Sequence, residues 1–400
     1  MSQTPITTPI VSPPSPSADA ATAVQSSNLD TTLQQCGKSH RVGSGLVGAT
    51  ETSVTFRTMS TSAPPIYSRL GNTENHLETE SMLARIHSAD AAIVTGSGMA
   101  AFNLIFQSLL SPGDHVLVQE CCYGGTYNLL TKILGRWGVV CTYAPIKDWP
   151  KTLNKRTKLA VFESISNPFC IPQDLGMAVD FCRKHDVISL CDNTFASPVL
   201  CQPLCHGVDL VLESATKYLN GHSDVIAGMI AGRQSLLAQL RPAHAYLGTF
   251  IPNRECALLT RGLRTLTVRM ERHTKTGACF AKDMQRAQDV VRRVYYGTPD
   301  NDSAARFFPN GYGGMVAVEF HPDINVKAMM RTMTLVSDVP SLGGTESSAT
   351  IPAYTTNWFM TPQEKLSLGI TESLVRFSIG LENPEEISQD VLAAARASLP

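Results

Sequence analysis

Residues Ser214–Ile230 read SATKYLNGHSDVIAGMI. Lys217 stands just beyond an apolar run, Asp209–Ser214 (DLVLES), and is flanked by the hydroxyls of Ser214 and Thr216. A lysine that follows a strand is ordinarily a solvated surface residue. The hydroxyl–x–hydroxyl–Lys array has a second use. It suits pyridoxal phosphate (PLP), whose aldehyde condenses with a lysine amine while neighbouring hydroxyls donate to its phosphate. The rest of the chain distinguishes these possibilities, because a PLP site needs further parts at the ends of other strands.

Upstream of this stretch, short apolar runs alternate with segments of helical character. AAIVTG leads into MAAFNLIFQSLL, HVLVQE into TYNLLTKILGRW, and KLAVFES towards MAVDFCRKH; VVCTYA, VISLCDN, DLVLESA and VIAGMIAG are further runs. Strands buried on both faces and alternating with helices predict an α/β domain with a large, mostly parallel sheet. After about Arg241 the texture changes. A long helical stretch, residues 253–287, leads to GGMVAVEF and later to LVRFSIGLE, which predicts a smaller C-terminal α+β domain. The expected organisation is a disordered tail over residues 1–27, an N-terminal arm over 28–65, a large cofactor domain over 66–240 and a small domain over 241–400. The tail is rich in Ser, Thr, Pro and Ala, and Asp19 is its one charge, so it cannot bury enough apolar surface to order itself.

Composition excludes several classes. With 400 residues and 43% apolar content the chain can bury a large core and divide into two lobes. A net charge of −1 without a basic block gives no support to nucleic-acid binding. No window approaches the roughly 20 apolar residues that a membrane span requires. The 11 cysteines are scattered, mostly in apolar runs, as expected of reduced thiols in a cytoplasmic protein. Cys201, Cys205 and His206 lack neighbours that would complete a ligand set, so no metal is expected. The first residues lack the basic start and apolar region of a secretory signal, and no arginine precedes Arg41.

Open α/β sheets bind ligands at the carboxyl ends of their strands, and the chemically able residues fall there. Gly98 and Met99 follow AAIVT and open a helix, whose free N–H groups can hold a phosphate. Asp192 follows VISLC; it is either a helix cap or the acid that keeps a pyridine nitrogen protonated. Tyr123, in CCYGGTY, is either a turn aromatic or a ring stacked on the cofactor with a hydroxyl able to move protons. Glu163 and Asn167 lie in FESISNP, and Asn167 could bond the cofactor's phenolate oxygen. Arg376 interrupts the apolar run LVRFSIGLE, where a planar fork suits capture of a substrate carboxylate. Ser341 lies in the glycine-rich SLGGTES.

Together these pieces resemble the Cys/Met-metabolism PLP enzymes, among them cystathionine γ-lyase, cystathionine γ-synthase, methionine γ-lyase and O-acetylhomoserine sulfhydrylase. PIYSRLGN, TGSGMAAF, YGGTYN, FESISNP, DNTFASP, SATKYLNGHSDV, SLGGTES and LVRFSIGLE run in family order from Tyr67 to Glu382. The resemblance implies the fold type I architecture and a homotetramer of two catalytic dimers. It implies that Lys217 carries PLP, with Tyr123 as a catalytic partner. Gly98, Met99, Tyr123, Asn167, Asp192, Ser214 and Thr216 match cofactor contacts. Tyr67 and Arg69 match a pair that reaches the phosphate from the neighbouring subunit. Asn167, Ser341, Thr356 and Arg376 match positions lining the amino-acid end of the substrate. Glu163 matches a family acid near the cofactor.

Three departures from that pattern point one way. Where cystathionine enzymes carry ionic side chains before YSR, after YGGT and before SLGG, this chain has Ile66, Asn128 and Pro340. Leaving a distal charge unpaired in a closed pocket costs several kcal/mol, which argues against cystathionine as substrate. The expected reaction is γ-replacement on an O-activated homoserine such as O-acetyl-L-homoserine, through a β,γ-unsaturated intermediate that a thiol or carbon nucleophile attacks. The alternative is γ-elimination from methionine, homocysteine or cystathionine.

Overall fold

A computed structural model describes residues 29–35, 48–56, 67–297 and 302–400. The expected disordered tail lies outside the described residues, as does most of the arm. Seven strands form the first sheet: β1 Ala91–Thr95, β2 His115–Gln119, β3 Val140–Ala144, β4 Thr157–Glu163, β5 Ile188–Asp192, β6 Leu210–Glu213 and β7 Gly228–Gly232. Their order is β1-β7-β6-β5-β4-β2-β3, and the five strands from β6 to β3 are mutually parallel. Only β7 runs against its neighbours.

The period of two along each strand sorts its side chains into two cores. Val116, Val118, Leu159, Val161, Leu190, Leu210 and Leu212 face a core completed by Phe102, Phe106 and Leu237 from the helices Gly98–Leu109 and Gln234–Tyr246. Leu117, Ala160, Phe162, Cys191 and Val211 face the other core, which runs on into the second sheet. The middle of each central strand is therefore apolar on both faces, while the edge strand β3 leaves Val140 exposed.

The second sheet contains β8 Val291–Tyr295, β9 Met315–Phe320, β10 Ser337–Asp338, β11 Ser348–Thr350 and β12 Leu374–Ser378, ordered β10-β11-β12-β9-β8. It is antiparallel except for the β10–β11 pair. The helical stretch expected over residues 253–287 is two helices, Asn253–Leu263 and Leu266–Arg286. The break is held by Gly262, whose carbonyl accepts from Arg269 and Thr265 instead of continuing the ladder. Residue 241 falls inside the helix Gln234–Tyr246, which packs on the first sheet, whereas Leu266–Arg286 packs on β8 and β9. We propose a domain division near residue 265, where the chain passes from one sheet to the other.

Candidate active site

At the carboxyl edge of the first sheet, the ends of β1, β4, β5 and β6 and the loop after β2 surround a cavity of about 250 Å³. Of the residues singled out from the sequence, Gly98, Met99, Tyr123, Asn167, Asp192, Ser214, Thr216, Lys217, Thr356 and Arg376 line it. Ser341 joins them through Lys217, whose Nζ donates to Ser341 Oγ at 2.9 Å. Tyr67 and Arg69 do not line this cavity. They sit together, with the guanidinium 5.4 Å from the Tyr67 ring centre, and Arg69 donates to the carbonyl of Ala245 at 2.7 Å.

The β1-to-helix turn supplies the anion end. Ser97 caps the helix Gly98–Leu109, its Oγ accepting the Ala100 amide at 3.0 Å. The amides of Gly98 and Met99 have no intrahelical acceptor and are left for a ligand. A Cβ on Gly98 would lie 2.9 Å from Ser214 Cβ, so only glycine lets this helix start meet the end of β6. Among the described residues Ser214 Oγ has no hydrogen-bond partner. Thr216 differs from expectation: its hydroxyl already donates to the Ala227 carbonyl and accepts the Ala227 amide, at 3.1 and 3.0 Å. To donate to a phosphate it would have to turn from that carbonyl.

The lysine turn is built from behind. The buried Arg269 donates to the carbonyls of Tyr218 and Leu219, at 2.7 and 3.3 Å. Gly343, at φ +76°, brings the SLGGTES loop against the Tyr218 amide, where a Cβ would stand 2.7 Å away. The turn buries most of Lys217. That burial, and then the charge of Arg376, bring the ammonium down to about 8.

The four charged residues lining the cavity are Lys217, Arg376, Asp192 and Glu163. Asp192 accepts from the amide of Thr194 at 2.9 Å and from its hydroxyl, and that hydroxyl in turn accepts the Ser214 amide. Burial nevertheless pushes Asp192 up to about 6, against those bonds. Glu163, beside it on β4, accepts the amides of Tyr123 and Asn167 at 2.6 and 2.7 Å. Burial, then Asp192, holds it well above the usual carboxylate range. Tyr123 is 39% exposed, its ring at the cavity; partial burial, then Asp192, raises its hydroxyl. Arg376, on β12, is 3% exposed, donates to Asn167 Oδ1 at 3.0 Å and lies 5.5 Å from the Phe195 ring centre. Among the described residues no carboxylate ion-pairs with it. The Asn167 side-chain carbonyl is thereby turned to Arg376.

Ser97, in the same turn as Gly98 and Met99, also lines the cavity; sequence reasoning did not single out Thr194, Phe195, Phe102, Ile165, Leu212, Ile226 or Leu342. Thr194 carried a local signal, since Asp-x-Thr commonly closes an Asx-type turn. Phe195 and Ile226 carried none. Of the three departures, Pro340 lines the cavity. Asn128 turns back to the Gly124 carbonyl at 2.9 Å, and Ile66 lies outside the described residues.

Residues 41–396 match the family of Cys/Met metabolism PLP-dependent enzymes. The chain belongs to that family. It is 35% identical over 340 residues to the L-methionine gamma-lyase of Pseudomonas putida, covering 83% of this chain and 85% of that one. A cystathionine gamma-lyase from Lactobacillus plantarum, solved with L-serine, superposes with a TM-score of 0.88 at 31% identity, covering 93% of this chain and 99% of that one. A putative O-acetylhomoserine (thiol)-lyase from Campylobacter jejuni, solved with a pyridoxyl-lysine phosphate, gives a TM-score of 0.86 at 25% identity, covering 92% of this chain and 100% of that one. The family member described here is thus a PLP-dependent enzyme of fold type I, a lyase or transferase of amino-acid metabolism. Its cavity suits the cofactor: helix-start amides and a free serine hydroxyl at one end, a lysine of lowered pKa, a buried acid and an aromatic face. No helix among the described residues is long and apolar enough to cross a membrane.

Proposed function

We propose that the enzyme performs γ-replacement on an O-activated homoserine such as O-acetyl-L-homoserine, with a thiol or carbon nucleophile. One observation carries this reading: of the cavity's four charged side chains, Lys217, Asp192 and Arg376 each have a use at the cofactor or at the α-carbon end, Glu163 is engaged by two backbone amides, and the remaining lining is uncharged. Among the described residues the substrate's distal end therefore has no ionic partner, which favours an ester or another neutral group over the second amino-acid head of cystathionine.

PLP, when bound, supplies an electron sink that acidifies the substrate's Cα and Cβ protons. The chain's own residues do the rest. Gly98, Met99 and Ser214 would hold the phosphate end, joined by Thr216 once its hydroxyl turns from the Ala227 carbonyl. Asp192 would keep a proton on the ring nitrogen, and Tyr123 would cover the ring. Arg376 is a buried guanidinium without a carboxylate, and the α-carboxylate of an amino acid supplies one. Asn167 and Ser341 orient that end, and Thr356 borders it. Lys217 Nζ, near 8, is neutral often enough near neutral pH to accept the Cα proton and return it elsewhere. Its bond to Ser341 gives the free amine a fixed resting place.

We also propose a cytoplasmic homotetramer in which Tyr67 and Arg69 complete the phosphate site of a neighbouring subunit. Tyr67 stands 40% exposed and outside its own chain's cavity, as a residue serving another subunit should.

γ-Elimination is the second reading, favoured by the methionine gamma-lyase relative and by the uncharged thioether end of methionine. Incubation with O-acetyl-L-homoserine, with and without methanethiol or a β-keto acid, separates the two by mass spectrometry. Nucleophile-dependent γ-substituted products are expected. Formation of 2-oxobutanoate at one rate whatever is added would replace this reading with elimination.

A further inference from the structure

We propose that Glu163 is a positioning residue that ties Tyr123 to the Asn167–Arg376 grip, so that one side chain sets both walls of the amino-acid pocket. The inference rests on the reading of Arg376 as the carboxylate grip.

Beyond the pair Val118–Val161 the registered pairing of β2 with β4 ends. The chain then departs from β2 towards Tyr123 and from β4 towards Asn167. Side chains replace the ladder at that point. Gln119 Oε1 accepts the Glu163 amide at 3.0 Å. Glu163 in turn sends one oxygen to the Tyr123 amide at 2.6 Å and the other to the Asn167 amide at 2.7 Å. Two N–H groups from separate loops thus converge on one side chain that is 5% exposed. A carboxyl group has an oxygen able to accept at each of its ends; an amide side chain offers one acceptor and one donor. Among the described residues no cation ion-pairs with Glu163, so the two amides are what hold its side chain in place.

The connection continues outward: Asn167 Oδ1 accepts from Arg376 at 3.0 Å. A shift at Glu163 therefore reaches the ring over the cofactor through Tyr123 and the guanidinium through Asn167. No mechanism assigned above uses Glu163, yet it lines the cavity beside Asp192.

The test uses the PLP-loaded enzyme and L-alanine, which has the amino and carboxylate groups but no γ-carbon. Its binding, read from the cofactor's absorbance, is independent of whether the enzyme replaces or eliminates at Cγ. Glu163→Gln keeps the shape and sets a donor against one of the two amides. The expected result is a folded, yellow protein whose affinity for L-alanine falls tenfold or more, with KM for the turned-over substrate raised more than kcat is lowered. Combined with Asn167→Ala, the loss should be smaller than the product of the two single losses, because both act through one contact. Unchanged alanine affinity in the folded variant, or losses that simply multiply, would overturn the proposal. If Glu163→Gln does not fold, hydrogen exchange on the wild-type enzyme decides: the amides of Tyr123 and Asn167 should exchange as slowly as that of Val161 within β4. Exchange of either at the rate of an open loop would sink it.

Discussion

Removal of the cofactor gives the most direct view of Lys217. Burial and the nearby Arg376 bring its amine from 10.5 to about 8 in the folded chain. At pH 7.5 a lysine at 8 is neutral in about a quarter of molecules, and one at 10.5 in about one in a thousand, a gain of ~200-fold in the form that attacks an aldehyde. The assay is the rate at which stripped enzyme recaptures PLP at fixed concentration, followed by absorbance from pH 6.5 to 10. The rate should rise about tenfold per pH unit below 8 and level off above it. Arg376→Gln removes the second cause and should move the bend to higher pH while leaving it below 10.5, because burial acts first. The shift also carries a sign for stability. The folded value lies below the unfolded one, so between 8 and 10.5 the unfolded chain holds a proton that the folded chain has shed. Stability from this group therefore rises with pH through that window. A recapture rate that keeps climbing tenfold per unit up to pH 10 would show an ordinary lysine amine and refute the reasoning.

Three further expectations follow from the same geometry. Asp192 moves from 3.8 to about 6 on folding, so the stripped enzyme should lose about 3 kcal/mol from this group as pH rises across that window. Urea denaturation of wild type against Asp192→Asn isolates it, since the difference should vanish below pH 4. Gly98→Ala places a Cβ 2.9 Å from Ser214 Cβ; overpacking of about 1–3 kcal/mol should weaken PLP binding tenfold or more in an equilibrium titration. Arg376→Lys keeps the charge but loses the planar fork, so KM for the amino-acid substrate should rise by about tenfold or more, with the cofactor's absorbance retained.

The apolar runs that became β1 to β7 were plain in the chain because strands buried on both faces need apolar residues throughout. The strand β8 escaped notice for the opposite reason: it lies at a sheet edge, and Arg292 and Arg293 are exposed. The helix over residues 253–287 looked continuous because its periodicity does not change at Gly262; the break comes from Arg269, which reaches that carbonyl from the next helix. Lys217, Asp192, Gly98 and Arg376 could be picked out because each is a polar or glycine exception at the end of, or within, an apolar run. Phe195 and Ile226 could not, since apolar residues near apolar runs are the rule.

By itself the sequence determined which residue types stand at the ends of which strands, and so the cofactor, because local alternation and motif chemistry act over a few neighbouring residues. Only the tertiary structure decided that the Thr216 hydroxyl is already engaged, that Tyr67 and Arg69 lie apart from their own cavity, and that the Glu163 side chain joins two loops 40 and 4 residues away in its hydrogen bonds to the amides of Tyr123 and Asn167. Each of these depends on how separate strands are stacked side by side, and that adjacency is a property of the whole folded chain.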